Sequence, residues 1–211
     1  MAKGRARRGG NGSSQPELSD ADRIIEAAMS RIAEDGWRHV SLAAIAKAAG
    51  LPILRVYRTF PSKTGILRGL TRRIDEAVLA TPVEGEPDER PRDRIFDLLM
   101  RRFDALQPYK PALAKLRREL PFDPPAALVT GAGLLHSMAW MLEAAGMSAT
   151  GIGGIVAVRL TAAAYLMAQR VWIGDDSPDL APTMAELDRR LRGIERWFAD
   201  GRPDRREAAA S

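Results

Sequence analysis

The sequence predicts an all-α protein of about nine helices, with an N-terminal three-helix unit laid out as a helix-turn-helix and a second helical domain behind it. Apolar residues recur at helical spacing through most of the 211 residues, and no alternating strand pattern interrupts them. Gly36, the Gly50-Leu51-Pro52 step and Pro61 cut the N-terminal third into short segments. Thr81 to Arg92 (TPVEGEPDERPR) holds three prolines, four acids and no apolar period, so a linker or long loop separates the two parts.

In chain order, residues 1–18 are basic and rich in Gly and Ser, with too little apolar surface to offset the entropy of ordering. They are expected to form a disordered arm. Its Lys3, Arg5, Arg7 and Arg8 fit either a solvated tail or an arm that adds phosphate or minor-groove contacts. The three-helix unit is expected over 19–80. Ser19 or Asp20 can cap a first helix whose face is Ile24, Ile25, Ala28, Met29 and Ile32, ending before Gly36. Ser41 can cap a second, with Leu42, Ile45, Ala46 and Ala49 on one face and Gly50 at the stop. Pro52 suits the first turn of a third helix, Ile53 to Phe60. Pro61-Ser62 breaks it before a fourth, from about Lys63 to Leu79. Amphipathic segments near 93–107, 109–119, 124–145, 152–173 and 180–199 form the second domain, 93–199.

Charge is distributed unevenly between these parts. Residues 1–80 carry 14 Lys and Arg against 8 Asp and Glu, whereas the remainder carries 18 against 19. From Gly36 to Ile74 there is no acid at all, yet Arg38, Lys47, Arg55, Arg58, Lys63, Arg68, Arg72 and Arg73 lie there. A basic module joined to a near-neutral one is the pattern of a polyanion-binding surface on one domain only, and the short-helix layout points to DNA.

Other function classes find less support. The chain has no cysteine, which excludes disulfides and thiolate metal sites. Its two histidines, His39 and His136, stand in no metal-ligand spacing, and neither Gly131-Ala132-Gly133 nor Gly151 to Gly154 has the context of a phosphate loop. No catalytic residue, cofactor or metal is expected. No run approaches about 20 uninterrupted apolar residues and the N-terminus lacks an apolar signal core, so no integral membrane segment and a cytoplasmic location are expected.

The segment Gly36 to Leu67 (GWRHVSLAAIAKAAGLPILRVYRTFPSKTGIL) resembles the DNA-binding domain of TetR-family transcriptional regulators. Gly36, Ser41, Ile45-Ala46, Ala49-Gly50, Tyr57, Phe60 and Lys63 fall in order at the family's spacing. The resemblance implies a homodimer on double-stranded operator DNA, with a variable helical domain that binds ligand and dimerises. It also implies that Tyr57 and Lys63 contact phosphates. Arg55 and Arg58 share a helix face and can reach phosphate or a guanine edge. Position 52 departs from the family, which favours a small hydroxyl residue there, and Ile53 and Leu54 replace polar or small residues. Those two side chains could touch thymine methyls or pack against something other than DNA. The candidate DNA-contacting set is Arg38, Ser41, Lys47, Ile53, Leu54, Arg55, Tyr57, Arg58 and Lys63.

A looser second resemblance, to the helical lipid-binding accessory protein of ubiquinone biosynthesis, spans the C-terminal part. It rests on Leu106 to Tyr109, His136 to Gly146 with Trp140, Leu160 to Tyr165, Asp175 to Asp179, Thr183 and Leu187 to Arg190. It implies an apolar tunnel. Phe103, Leu106, Leu135, Met138, Trp140, Met141, Tyr165 and Met167 are the candidates to line a pocket for a small apolar ligand, since aromatic and Met side chains make adaptable cavities. In the last two helices the apolar stripe Val158, Met184, Leu187, Leu191, Ile194, Trp197 and Phe198 is, by the first resemblance, the candidate dimer interface. The expected function is a ligand-responsive DNA-binding regulator, most simply a repressor. The alternative is a lipid- or isoprenoid-binding accessory protein of the same fold without operator recognition.

Overall fold

The structure, a computed structural model, describes residues 18–82 and 89–199, with side chains described as far as residue 195. The expected arm, apart from Leu18, therefore lies outside the described residues, as do 83–88 of the linker and the side chains of Trp197 and Phe198. Nine α-helices are present among the described residues, and no strand: α1 Asp20–Asp35, α2 Leu42–Ala49, α3 Ile53–Thr59, α4 Lys63–Leu79, α5 Pro91–Leu106, α6 Lys110–Glu119, α7 Pro124–Ala144, α8 Gly151–Trp172 and α9 Ala181–Ala199. Short 3-10 turns at Gln107–Tyr109 and Leu120–Phe122 bracket α6.

Serine caps begin three of the first four helices. The hydroxyls of Ser19, Ser41 and Ser62 accept hydrogen bonds from the backbone N–H of Asp22, Ala44 and Gly65 at 3.1, 3.1 and 3.0 Å, satisfying donors that have no partner inside the helix. α2 ends at Gly50, whose φ of 64° lies in the left-handed region that side chains disfavour. Two boundaries differ from expectation. Pro52 has the extended ψ of a cap, 142°, and precedes α3 instead of entering its first turn. α5 begins at Pro91, inside the segment expected to be linker, because proline's fixed φ and missing N–H cost nothing at a first helical position.

α1 is the hub of the N-terminal unit. Its inner face, Ile24, Ile25, Ala28, Met29 and Ile32, is buried against α2, α3 and α4, while α6 packs on it from the other side. α4 starts in the N-terminal unit and runs on to pack against α5 and α7, and α8 pairs along its length with α9. The buried apolar residues form one continuous cluster, so the two parts of the chain share a core.

α7 and α8 are long and apolar enough to span a bilayer by length and composition alone, although neither holds an uninterrupted apolar run of about 20 residues. That test also passes the core helices of proteins that cross no membrane, and each of the two has an inner face packed on α5.

A polar knot crosses the core beside them. The Arg102 guanidinium on α5, 4% exposed, pairs with the Asp75 carboxylate on α4, which accepts a 2.5 Å hydrogen bond from Ser137 Oγ on α7. Arg102 also faces the Tyr165 ring on α8.

Candidate nucleic-acid interface

α3 is seven residues long, and only Val56 points inward. Ile53, Leu54, Arg55, Tyr57 and Arg58 are all exposed, Tyr57 by 63%, so almost the whole helix surface is presented to a partner. Ser41 and Lys47, at the start and on the outer side of α2, are exposed beside it, and so is Arg38 in the turn before α2. The turn between α2 and α3 is held from behind. Arg23 on α1 donates to the carbonyl of Ala49 at 2.8 Å, placing a cation at the negative end of the α2 dipole. Nothing in the local sequence pattern flags that role.

The run that is free of acids in sequence is not free of them in space. Arg73 on α4 reaches back to Asp22 and Glu26 on α1 at 3.2 and 2.8 Å and to the Tyr109 hydroxyl at 2.6 Å. Arg72 pairs with Glu76. Arg55 pairs with Asp20 at 2.5 Å, but this pair lies on the surface, where a phosphate can displace a carboxylate at little cost. Among the described residues, Arg38, Lys47, Arg58 and Arg68 make no ion pair, so the net positive charge available to a polyanion is concentrated on them.

Lys63 is placed differently from the other candidates. Its Nζ donates to the Trp37 carbonyl at 2.9 Å and sits 4.5 Å from the centre of the Trp37 ring. Burial pushes the ammonium below its ordinary value, an effect opposed by the nearby Asp123 and Glu119 carboxylates. Trp37, 2% exposed, donates its indole N–H to Asp123 at 2.9 Å, and the Arg38 backbone N–H donates to Glu119 at 2.9 Å. Asp123 also caps α7 through Ala126 N. The turn that enters α2 is thus fastened to the corner between α6 and α7.

Residues 24–70 match the sequence model described as "Bacterial regulatory proteins, tetR family". The N-terminal domain is a TetR-family domain, and the chain has the TetR-regulator fold. Solved structures share that fold across most of their length. A TetR transcriptional regulator from Nitrosomonas europaea ATCC 19718 matches at 22% identity and a TM-score of 0.62, covering 84% of this chain and 98% of its own. One from Rhodococcus sp. RHA1 matches at 21% and 0.58, covering 83% and 94%. A tetR-family regulator from Shewanella sp. PV-4 matches at 18% and 0.54, covering 87% and 98%. No curated protein matches the sequence. The TetR-type domain brings a DNA-binding helix-turn-helix, and α2 and α3 are its two helices.

The pocket candidates of the C-terminal part divide between core and surface. Phe103, Leu106, Met138, Met141 and Tyr165 are buried in solid packing, with the Phe103 ring stacked 5.0 Å from Tyr165 and tilted against Trp172 at 5.5 Å. Leu135, Trp140 and Met167 point outward. None of the eight lines the cleft of about 570 Å³ between α5 and the α8–α9 turn, whose walls include Phe96, Met100, Asp104, Gln107 and Leu180. The interface stripe also divides. Val158, Leu187 and Leu191 are buried within the chain because α8 and α9 pack on each other, Ile194 is partly buried against the same core, and Met184 lines the cleft.

Of the residues behind the second resemblance, Asp175 to Asp179 and Thr183 form the turn between α8 and α9. Asp175 accepts from the Ser177 backbone and hydroxyl through one oxygen and from those of Thr183 through the other, closing the α8–α9 connection. Burial alone would raise this carboxyl, yet the Ser177 and Thr183 hydrogen bonds outweigh it and hold it at about 2.

Proposed function

We propose that the chain is a transcriptional repressor that binds operator DNA as a homodimer and releases it when a small apolar effector occupies the C-terminal domain. The observation that carries this reading is the exposed α3 surface, with Tyr57 and Arg58 free and Arg55 held only by a surface pair, on a helix-turn-helix of TetR type. In such a unit the second helix lies in the major groove while the first crosses the backbone, and a dimer places two of them one helical turn, roughly 34–36 Å, apart. Arg38, Lys47 and Arg58 supply phosphate contacts. Ile53 and Leu54 meet base edges as apolar contacts, where thymine methyls are the complementary groups.

The proposed units are residues 19–80 for DNA and 93–199 for ligand and dimerisation, working in the cytoplasm. α4 belongs to both. An effector that shifts α4 acts through two sets of contacts, the Asp75–Arg102 pair and the Arg73 contacts to α1, and changes the spacing of the two α3 helices. The test is binding of the purified protein to DNA flanking its own gene, against random duplex, over a salt series. A site-specific excess that weakens with salt supports the reading, and sequence-blind binding that vanishes with salt overturns it.

A further inference from the structure

We infer that the cleft between α5 and the α8–α9 turn binds an organic cation with a bulky apolar body. This rests on the effector of the proposed function, to which it gives a place and a charge.

The cleft, about 570 Å³, falls within the roughly 300–1,000 Å³ of small-molecule sites. Apolar side chains line both walls, Phe96 and Met100 on α5 and Leu180 and Met184 across from them. Four carboxylates share the space, Asp97 and Asp104 on α5 and Asp176 and Asp179 in the turn, and no Lys, Arg or His lines it. In a chain of net charge +5 this is a local reversal of sign. Asp97 and Asp104 make no ion pair among the described residues. Lys110 approaches Asp176 at 3.3 Å, but its ammonium also donates to the Asp175 carbonyl, at 2.5 Å. Like charges around one cleft repel, and a cation placed among them relieves that repulsion.

The spacing of the acids selects the kind of cation. A metal ion needs several ligands converging on one point, and no group of three His, Asp or Glu does so among the described residues. Asp97 and Asp104 stand two helical turns apart, roughly 10 Å along α5. Charge spread in this way suits a cation whose apolar body occupies the space between the carboxylates, and Phe96 adds an aromatic ring, a group that attracts quaternary cations. An anion is repelled. A neutral apolar ligand would take water from the carboxylates and return nothing for it.

Hydrogen bonds set the walls in place. Asp175 ties Ser177 to Thr183 through its two oxygens and so holds the turn that carries Asp176 and Asp179. Leu180, the one non-glycine residue with a positive φ among the described residues, at 52°, closes that turn against the cleft. Gln107 accepts the Trp172 indole N–H at 3.1 Å and joins the α5 wall to α8. α5 also links the cleft to the N-terminal unit, since Arg102, between Met100 and Asp104 in sequence, pairs with Asp75 on α4.

The experiment is isothermal titration calorimetry of the full chain with tetraphenylphosphonium and, separately, with tetraphenylborate, which carries the same four phenyl groups on a negative centre. The variants are Asp97→Asn/Asp104→Asn, which removes charge at two exposed positions, Met184→Trp, which fills the cleft, and Glu76→Gln, an exposed acid on α4 outside it. Circular dichroism checks that each is folded, and the double Asp variant suffices if Met184→Trp is not. We expect one phosphonium per chain, binding at least about tenfold weaker in the double Asp variant, and borate binding at least about tenfold weaker than phosphonium in the wild type. Met184→Trp should abolish phosphonium binding and Glu76→Gln should leave it unchanged. A wild type that does not bind phosphonium overturns the inference. So does phosphonium binding that ignores the Asp substitutions or survives a folded Met184→Trp, and so does borate bound as tightly as phosphonium. Operator binding measured in parallel separates the two readings. A chain that selects its operator and ignores phosphonium sinks this inference alone, and one that binds phosphonium in the cleft without operator preference sinks the regulator reading alone.

Discussion

Lys63 Nζ rests 4.5 Å from the centre of the Trp37 ring and donates to that residue's own carbonyl at 2.9 Å, so the first residue of α4 is spent partly inside the protein. A phosphate contact and a structural strut make different demands on the same ammonium. Lys63→Ala is therefore expected to lower thermal stability as well as DNA affinity. Arg58→Ala, at an exposed residue without an ion pair among the described residues, should leave stability within about 0.5 kcal/mol and reduce the slope of log affinity against log salt by about 1. Melting curves and a salt titration on both variants check this pair of outcomes.

Pro52 leaves α3 without a side-chain cap bond. Pro52→Ser restores a cap worth about 1 kcal/mol but loses the proline's restriction of the unfolded chain, about 0.4–1 kcal/mol. These nearly cancel, so the melting temperature should move little. A backbone N–H and a hydroxyl are regained at the helix start, which the proposed function turns toward DNA phosphates, and DNA affinity should rise severalfold. An unchanged affinity in a mobility-shift titration would place this residue away from the DNA.

Asp175 ties the α8–α9 turn through four hydrogen bonds. Its carboxyl is held at about 2 in the folded chain, below the ordinary value of 3.8. A lowered acid stabilises the fold above its unfolded value, and that contribution is lost as pH falls from about 4 towards 2. Asp175→Asn should remove on the order of 2 kcal/mol at neutral pH and flatten the decline of stability between those pH values. Urea denaturation of both proteins at pH 7 and in steps below pH 4 measures it.

The Asp75–Arg102 pair joins α4 to α5 in the core. Removing one partner strands a buried charge, so Arg102→Met is expected to cost about 3–5 kcal/mol. Asp75→Asn/Arg102→Met should regain at least half of that loss, because the amide that replaces the carboxylate is neutral and can still accept from Ser137. Denaturation of the single and double variants gives the coupling directly.

Much of the fold was legible because its signals are local. Ser19, Ser41, Gly36, Gly50 and Pro61 punctuate the N-terminal helices where the chain in fact starts and stops them, and the α3 side chains expected to meet a partner are exposed, Arg55 among them although it pairs with Asp20. What was not legible depends on the third dimension. The carboxylates that answer Arg73 and Arg55 sit on α1, some 35 to 51 residues away in sequence. Trp37 and Asp123 are 86 apart. α7 and α8 have no polar face to set their phase, so Leu135, Trp140 and Met167 could not be told from Met138, Met141 and Tyr165 until neighbouring helices chose which side to cover.

Gly36 carries two independent demands. Its φ of 85° disfavours any side chain, and a methyl there would collide with the Glu119 carboxylate, the same group that receives Arg38 N–H. Positions 36 and 119 are thus coupled by contact, since a side chain at 36 would displace the carboxylate that holds the Arg38 N–H. A lineage that shortens Glu119 frees space at 36 but loses the bond to the turn, while one that replaces Gly36 must give up both, so drift at either site is expected to be answered at the other.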